Sequence, residues 1–192
     1  MLYTRKGDSG TTKVFGCNQS LSKSSTIAEA LGALDEINSF LGIVKIHNEA
    51  PRISVSNTVS GEGGGKNLSL PKIIHSVQEN LFIVQAEVAG AEKHLPDDAV
   101  KEIEGITDGI EKILPPIKTF FISGGTNIAA HLDTARTIAR RAERRVVAVG
   151  EEGTAKLSSQ TLAYLNRLSS LLYALARLSN HLSGINEQSP KY

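Results

Sequence analysis

The chain has 192 residues, 40% hydrophobic and 21% charged, proportions that suit one domain with a real core. A formal charge of +1 argues against a general nucleic-acid binder, which needs a clear positive excess. Cys17 is the lone cysteine, so no disulfide joins two parts of the chain and nothing marks an oxidising compartment.

The first 23 residues are rich in Gly, Ser, Thr and Lys and carry no helical period. Over residues 24–49, Ile27, Ala30, Leu31, Leu34, Ile37, Leu41 and Val44 recur at three- and four-residue spacing, which predicts a helix with one apolar stripe. Pro51 and the polar stretch to Gly65 end it, and residues 57–65 read as a loop. A second helix is expected after Pro71, carrying Ile74, Val77, Leu81, Val84 and Val88. Pro96-Asp97-Asp98 opens a third, with acids at the positive end of the dipole, and Pro115-Pro116 stops it. Phe120-Phe121-Ile122 is a short apolar connector. Ser123-Gly124-Gly125-Thr126 then leads into a fourth helix that runs to about Val149. The last helix, over 158–183, repeats Leu162, Leu165, Leu168, Leu172, Leu175, Ser179 and Leu182. Five amphipathic helices and no convincing strand predict an all-α antiparallel bundle as a single domain over 1–192.

No apolar run approaches the roughly 20 residues that span a bilayer, and MLYTRKGDSGTT lacks the apolar core of a signal peptide. The expectation is a cytoplasmic domain with neither membrane nor nucleic acid among its partners.

The fourth helix carries five arginines in ten residues. On a 100° projection, Ile128, Leu132, Ala135, Ala139, Ala142 and Val146 form the buried stripe. Arg136 and Glu143 fall at its border, Arg140 one step further round and Arg144 further still, while Arg141 and Arg145 point largely away. Guanidinium at a partly buried border suits an anion site. A solvated face laced with Glu–Arg pairs explains the same residues equally well. The N-terminal Thr4-Arg5-Lys6-Gly7-Asp8-Ser9-Gly10-Thr11-Thr12-Lys13 combines freely turning glycines with cations and hydroxyls, the chemistry of a phosphate cradle, or else an exposed terminus. Gly63-Gly64-Gly65-Lys66-Asn67 imitates a P-loop, but Ser60 stands where the first glycine belongs and Asn67 where Ser or Thr does.

Taken together, these segments resemble the PduO-type ATP:cob(I)alamin adenosyltransferases. The resemblance rests on Thr4 to Gly10, Lys23, Ala33-Leu34-Asp35-Glu36-Ile37-Asn38, Phe120 to Gly125, the Arg136 to Arg144 block and Leu165-Asn166-Arg167-Leu168-Ser169, in the family's order. It implies a ferritin-like five-helix bundle that assembles as a homotrimer with active sites between subunits. ATP would be held by Thr4, Arg5, Lys6, Gly7, Thr12, Lys13 and Lys23 on one side, and by Arg140, Arg141, Glu143, Arg144 and Asn166 on the other. Arg140, Arg136 and Asp35 would serve catalysis, with Asp35 and Arg136 paired across the interface, and Phe120 would pack under the corrin ring. Ser123 departs from the proline that often precedes the family's Gly-Gly pair. The further domain of some members is not expected here.

The implied reaction is attack of Co(I) on the 5′ carbon of ATP, releasing triphosphate. ATP and cobalamin are then substrates and Mg²⁺ bridges the phosphates, its protein ligands being unknown. A reductase and an enzyme that uses adenosylcobalamin are the implied partners. A non-catalytic carrier on the same bundle is the alternative. A di-metal bundle is disfavoured because no Glu-x-x-His pair occurs. His131 is the histidine nearest the candidate site, with a solvated or capping role expected.

Overall fold

The computed structural model describes residues 3–14, 20–47, 54–57 and 66–192. Five helices carry the fold: α1 (Thr26–Lys45), α2 (Leu70–Val88), α3 (Ala99–Glu111), α4 (Asn127–Glu151) and α5 (Ser159–Leu182). The expected helices are all present, with boundaries shifted by a few residues. None among the described residues is long and apolar enough to cross a membrane.

The packing follows from side-chain size. On α4 the inward positions Ala129, Ala135, Ala139 and Ala142 are almost wholly buried, and their small volume lets α4 lie closely between α1 and α5. α2 packs on α1 and α3 on α5. Leu34, Ile37 and Leu41 of α1 meet Leu132, Val146, Leu168, Leu172 and Leu175 in one apolar core to which all five helices contribute.

Two polar ties fix the helices' relative positions. Tyr164, fully buried on α5, receives a hydrogen bond from Asn80 Nδ2 of α2 at 3.2 Å. Glu87, 4% exposed near the end of α2, accepts from the Ser158 amide at 2.6 Å and from the Thr161 hydroxyl. A carboxylate there satisfies a free N–H of α5 and sits at the positive end of its dipole, which offsets the cost of its burial.

The expectation of no strand needs correcting. β1 (Thr11–Thr12) pairs antiparallel with β2 (Leu21–Ser22), and β3 (Ser54–Asn57) with β4 (Lys66–Ser69). Two- and four-residue strands are too short for alternation to stand out from loop composition. Most of the expected 57–65 loop, and Cys17, lie outside the described residues. Lys66-Asn67 opens β4, so the glycine run that imitates a P-loop leads into a strand.

Candidate active site

The approach to α4 is built around two buried side chains. Thr126 caps the helix by accepting from the Ala129 amide at 3.1 Å. Asn180 of α5 accepts from the Thr126 amide at 3.0 Å and donates to the Gly124 carbonyl at 2.8 Å. Gly125 lies directly on it: φ is +105°, and a Cβ there would stand 2.3 Å from Asn180 Oδ1. Only glycine fits both the backbone and the gap. Asp133, 8% exposed, accepts from the Gly124 amide at 3.3 Å and pairs with Arg136 Nε at 3.4 Å. The Arg136 guanidinium also lies 5.9 Å from the centre of the Tyr173 ring. Loop, carboxylate, arginine and tyrosine thus form one continuous framework.

Arg136 opens onto a cleft of about 570 Å³ with Arg140, Lys118, Phe120, Phe121 and Tyr173 among its walls. Cationic groups share it with an apolar face, and Phe120 is 77% exposed. The connector bearing Phe120 is pinned on both sides. Arg177 Nη2 donates to the Pro115 carbonyl at 3.2 Å and its guanidinium lies 5.1 Å from the Phe121 ring centre. The Ile122 amide donates to the Gln188 carbonyl at 2.8 Å. Phe120 therefore projects outward from a fixed backbone, and core packing does not account for it. Burial holds the Tyr173 hydroxyl above its ordinary pKa, against the opposing charge of Arg177, and the group stays neutral near pH 7.

Further along α4, Asn166 donates to Glu143 at 3.0 Å and accepts from Arg167 at 3.0 Å, and Arg167 pairs with Glu104 at 2.9 Å. Arg144 donates back to the Arg140 carbonyl at 3.0 Å. The projection of α4 holds: Arg136 and Glu143 are half-buried, and Arg140, Arg141, Arg144 and Arg145 are exposed. Two of the exposed arginines still have partners, because Arg141 pairs with Glu36 and Arg145 reaches Glu29 at 3.9 Å, both on α1. Arg141 is thus engaged within the chain. Asp35 is exposed on α1 beside Asn38, Lys45, His75 and Gln78, and within the chain the partner of Arg136 is Asp133.

His131 departs from expectation. It faces α1, with its ring 6.1 Å from Phe40 and 5.5 Å from His47, and its Nδ1 is buried without a hydrogen-bond partner. Phe40 of α1 and His47 just beyond that helix pack against a ring for which a solvated or capping role is expected from the sequence.

The N-terminal segment forms a compact loop. The Gly10 amide donates to the Gly7 carbonyl at 3.1 Å and the Lys23 amide to the Gly10 carbonyl at 2.9 Å, closing the β1–β2 ribbon. Arg5 adopts φ 60°, a strained conformation for a non-glycine residue. Lys23 folds over the loop, so that a Cβ on Gly7 would stand 3.1 Å from Lys23 Nζ. Thr4, Arg5, Lys6, Lys13 and Lys23 are all exposed, and Gly7 and Thr12 are half-buried. The ribbon gathers cations around a turn in which a side chain on Gly7 would crowd the end of Lys23.

The two halves lie apart within the chain. Val14 and Leu21, which flank the loop, line a depression with Thr154, Ala155 and Lys156 beyond the end of α4. Arg140 is eleven residues from that end (Glu151), or roughly 16 Å at the helical rise. Sequence reasoning missed Asp133, Tyr173, Arg177 and Asn180. A signal existed for part of this: Asn166, Ser170, Tyr173 and Arg177 recur at three- and four-residue spacing, a polar edge along α5.

In sequence and fold the chain is similar to known proteins. Residues 2–179 match the profile of the cobalamin adenosyltransferase family. A corrinoid adenosyltransferase of Bacillus subtilis is 34% identical over 190 residues, covering 97% of this chain and 90% of that protein. The corrinoid adenosyltransferase PduO of Citrobacter freundii is 32% identical over 187 residues, and the chain spans 50% of its length. Among solved structures, a variant PduO-type ATP:corrinoid adenosyltransferase from Lactobacillus reuteri, complexed with cobalamin and ATP, superposes with a TM-score of 0.85 at 28% identity, covering 100% of this chain and 97% of that one. A further variant of the Lactobacillus reuteri enzyme, complexed with ATP, gives 0.83 at 28% identity over 99% and 100% of the two chains. On its helices, its arginine block and these relatives, the chain belongs to the cobalamin adenosyltransferase family.

Proposed function

We propose that the protein transfers the 5′-deoxyadenosyl group of ATP to the cobalt of cob(I)alamin, giving adenosylcobalamin and triphosphate. The observation that carries this reading is the cleft in which an outward Phe120 faces Arg136 and Arg140 across space left open on the surface. A flat apolar ligand covers the aromatic, while a polyanion meets the guanidiniums.

In the reaction the Co(I) electron pair attacks C5′ and becomes the new Co–C bond, while the C5′–O bond breaks and triphosphate departs with the electrons of that broken bond. No side chain need act as nucleophile, since the corrinoid is one. The protein positions C5′, neutralises the leaving group and excludes water. Arg140 and Arg144 suit the leaving phosphates, with Arg141 joining them once released from Glu36. Glu143 and Asn166, already joined, suit the nucleoside. Thr4, Arg5, Lys6, Gly7, Thr12, Lys13 and Lys23 hold the triphosphate from the loop side. Phe120 keeps a lower axial ligand from cobalt, which eases reduction to Co(I).

Mg²⁺ enters as part of the MgATP substrate. There it would neutralise part of the charge on the phosphates and so assist Arg140 and the cations of the loop.

The site is complete only in a homotrimer. Supporting this, the loop lies beyond the C-terminal end of α4 while the arginine cleft lies at the helix's middle, and Asp35 is exposed on another face, free to meet Arg136 of a second copy. The use of ATP and of a strongly reduced corrinoid suits the cytoplasm, with a one-electron reductase upstream and an adenosylcobalamin-dependent enzyme downstream. Anaerobic incubation of chemically reduced cobalamin with MgATP tests the reading: the spectrum should convert to that of adenosylcobalamin with release of triphosphate. Neither product forming would refute it, and a monomer at working concentration would refute the trimer.

A further inference from the structure

A second chamber of about 250 Å³ opens behind the connector, between α3 and α5. Its walls include Ile110, Leu114, Pro116, Tyr173, Ala174 and Arg177. Ile117, Ser170 and Tyr173 line both this chamber and the arginine cleft, so the two spaces adjoin. The chamber is small for a whole ligand, since sites for complete small molecules run from about 300 Å³ upward. It suits one part of a larger ligand whose remainder occupies the cleft.

We propose that this chamber is a subsite for the detached aromatic base of a corrinoid's nucleotide tail. The inference rests on the adenosyltransferase reading above. In cob(I)alamin the lower base is off the metal, and an aromatic group left in water forfeits the gain of burial. The chamber offers apolar walls, the Tyr173 ring for stacking and a buried cation. Arg177 commits Nε to Glu187 and Nη2 to the Pro115 carbonyl, and a guanidinium carries five N–H donors. The remaining donors match the ring nitrogen that has left cobalt, and the flat guanidinium already lies near one aromatic face, that of Phe121. Lys118, on the cleft beside Ile117, supplies charge for the tail's phosphodiester. Phe120 and the chamber then act in concert, since the ring denies the base its place under cobalt and the chamber gives it another.

The test fills the chamber from two sides and compares cobalamin with cobinamide, a corrinoid that lacks the nucleotide and base. Ala174→Leu extends a side chain from α5, and Thr107→Leu does so from α3 should the first fail to fold. Initial rates are measured anaerobically with both chemically reduced corrinoids and MgATP. The expected result is a rise of about tenfold in KM for cob(I)alamin, equivalent to 1.4 kcal/mol, with KM for cob(I)inamide and for ATP within about twofold of the parent. An equal rise for both corrinoids, or no change for either, would overturn the subsite. Failure of the parent protein to adenosylate either corrinoid would overturn the activity itself, a result distinct from both.

Discussion

Arg177 Nε donates to Glu187 at 2.9 Å with side chains only 6% and 17% exposed, so a buried ion pair ties the last turns of α5 to the chain that follows the helix. The same arginine holds Pro115 and Phe121. Removing one partner leaves the other's charge without compensation. Arg177→Met should therefore lower stability by about 3–5 kcal/mol. Glu187→Gln keeps an acceptor and should cost less. Urea unfolding of the two variants, with unchanged slope, checks the order.

Phe120→Ala should leave the urea midpoint almost unmoved, because a 77% exposed ring contributes little burial. Turnover that starts from cob(II)alamin should fall severely, while ATP still binds by calorimetry. A drop in melting temperature of the size seen for core residues would mean the ring is structural after all.

For Arg140→Ala, turnover should fall by about 100-fold or more, in line with loss of one group that stabilises a developing charge. The residue is exposed and the Arg144 bond is to its backbone carbonyl, so the melting curve should overlay that of the parent. Early melting at full specific activity would assign the arginine to the fold alone.

Arg136 has two prospective acid partners. Asp133 binds it within the chain, and Asp35 reaches it only if a second copy brings the two together. A double-mutant cycle of Asp35→Ala with Arg136→Ala should show a coupling of about 0.5–3 kcal/mol in trimer formation. Additive effects there would remove the interface pair and leave Asp133 as the sole partner.

Tyr164 supplies a pH test of the fold. Burial pushes its hydroxyl well above the ordinary value of 10.0, only partly opposed by the hydrogen bond with Asn80. Its folded pKa is raised, so above pH 10 the unfolded chain sheds a proton that the folded chain keeps. Its stability contribution is therefore complete below that pH and lost as pH rises further, by at most about 1.4 kcal/mol per pH unit. Tyr164→Phe should lose about 1–3 kcal/mol at neutral pH, where Asn80 forfeits its acceptor, and should show a shallower alkaline decline. Unfolding free energies of both proteins at neutral pH and above pH 10 measure the difference.

Much of the fold was legible in the sequence because a helix writes its buried face into every third and fourth residue. Leu34, Ile37 and Leu41, or Leu165, Leu168 and Leu172, needed no partner to announce themselves. The order of Arg136, Arg140 and Arg144 around α4 was legible for the same reason. The short ribbons were not: their pairing depends on chain closure between segments that share no period. Nor was the engagement of Arg141 by Glu36, since two residues on different helices meet only through the packing angle of α1 on α4.

The arginine-rich helix illustrates the division. Local periodicity determined which of its faces is buried and which arginines border it, because that depends on a rotation of 100° per residue and on nothing else. Only the tertiary structure decided that Asn180 fixes the glycine turn before the helix, and that the N-terminal loop lies beyond the C-terminal end of α4, roughly 16 Å along the axis from Arg140. Those relationships join residues distant in the chain, and their geometry is set by the volumes of the side chains packed between them.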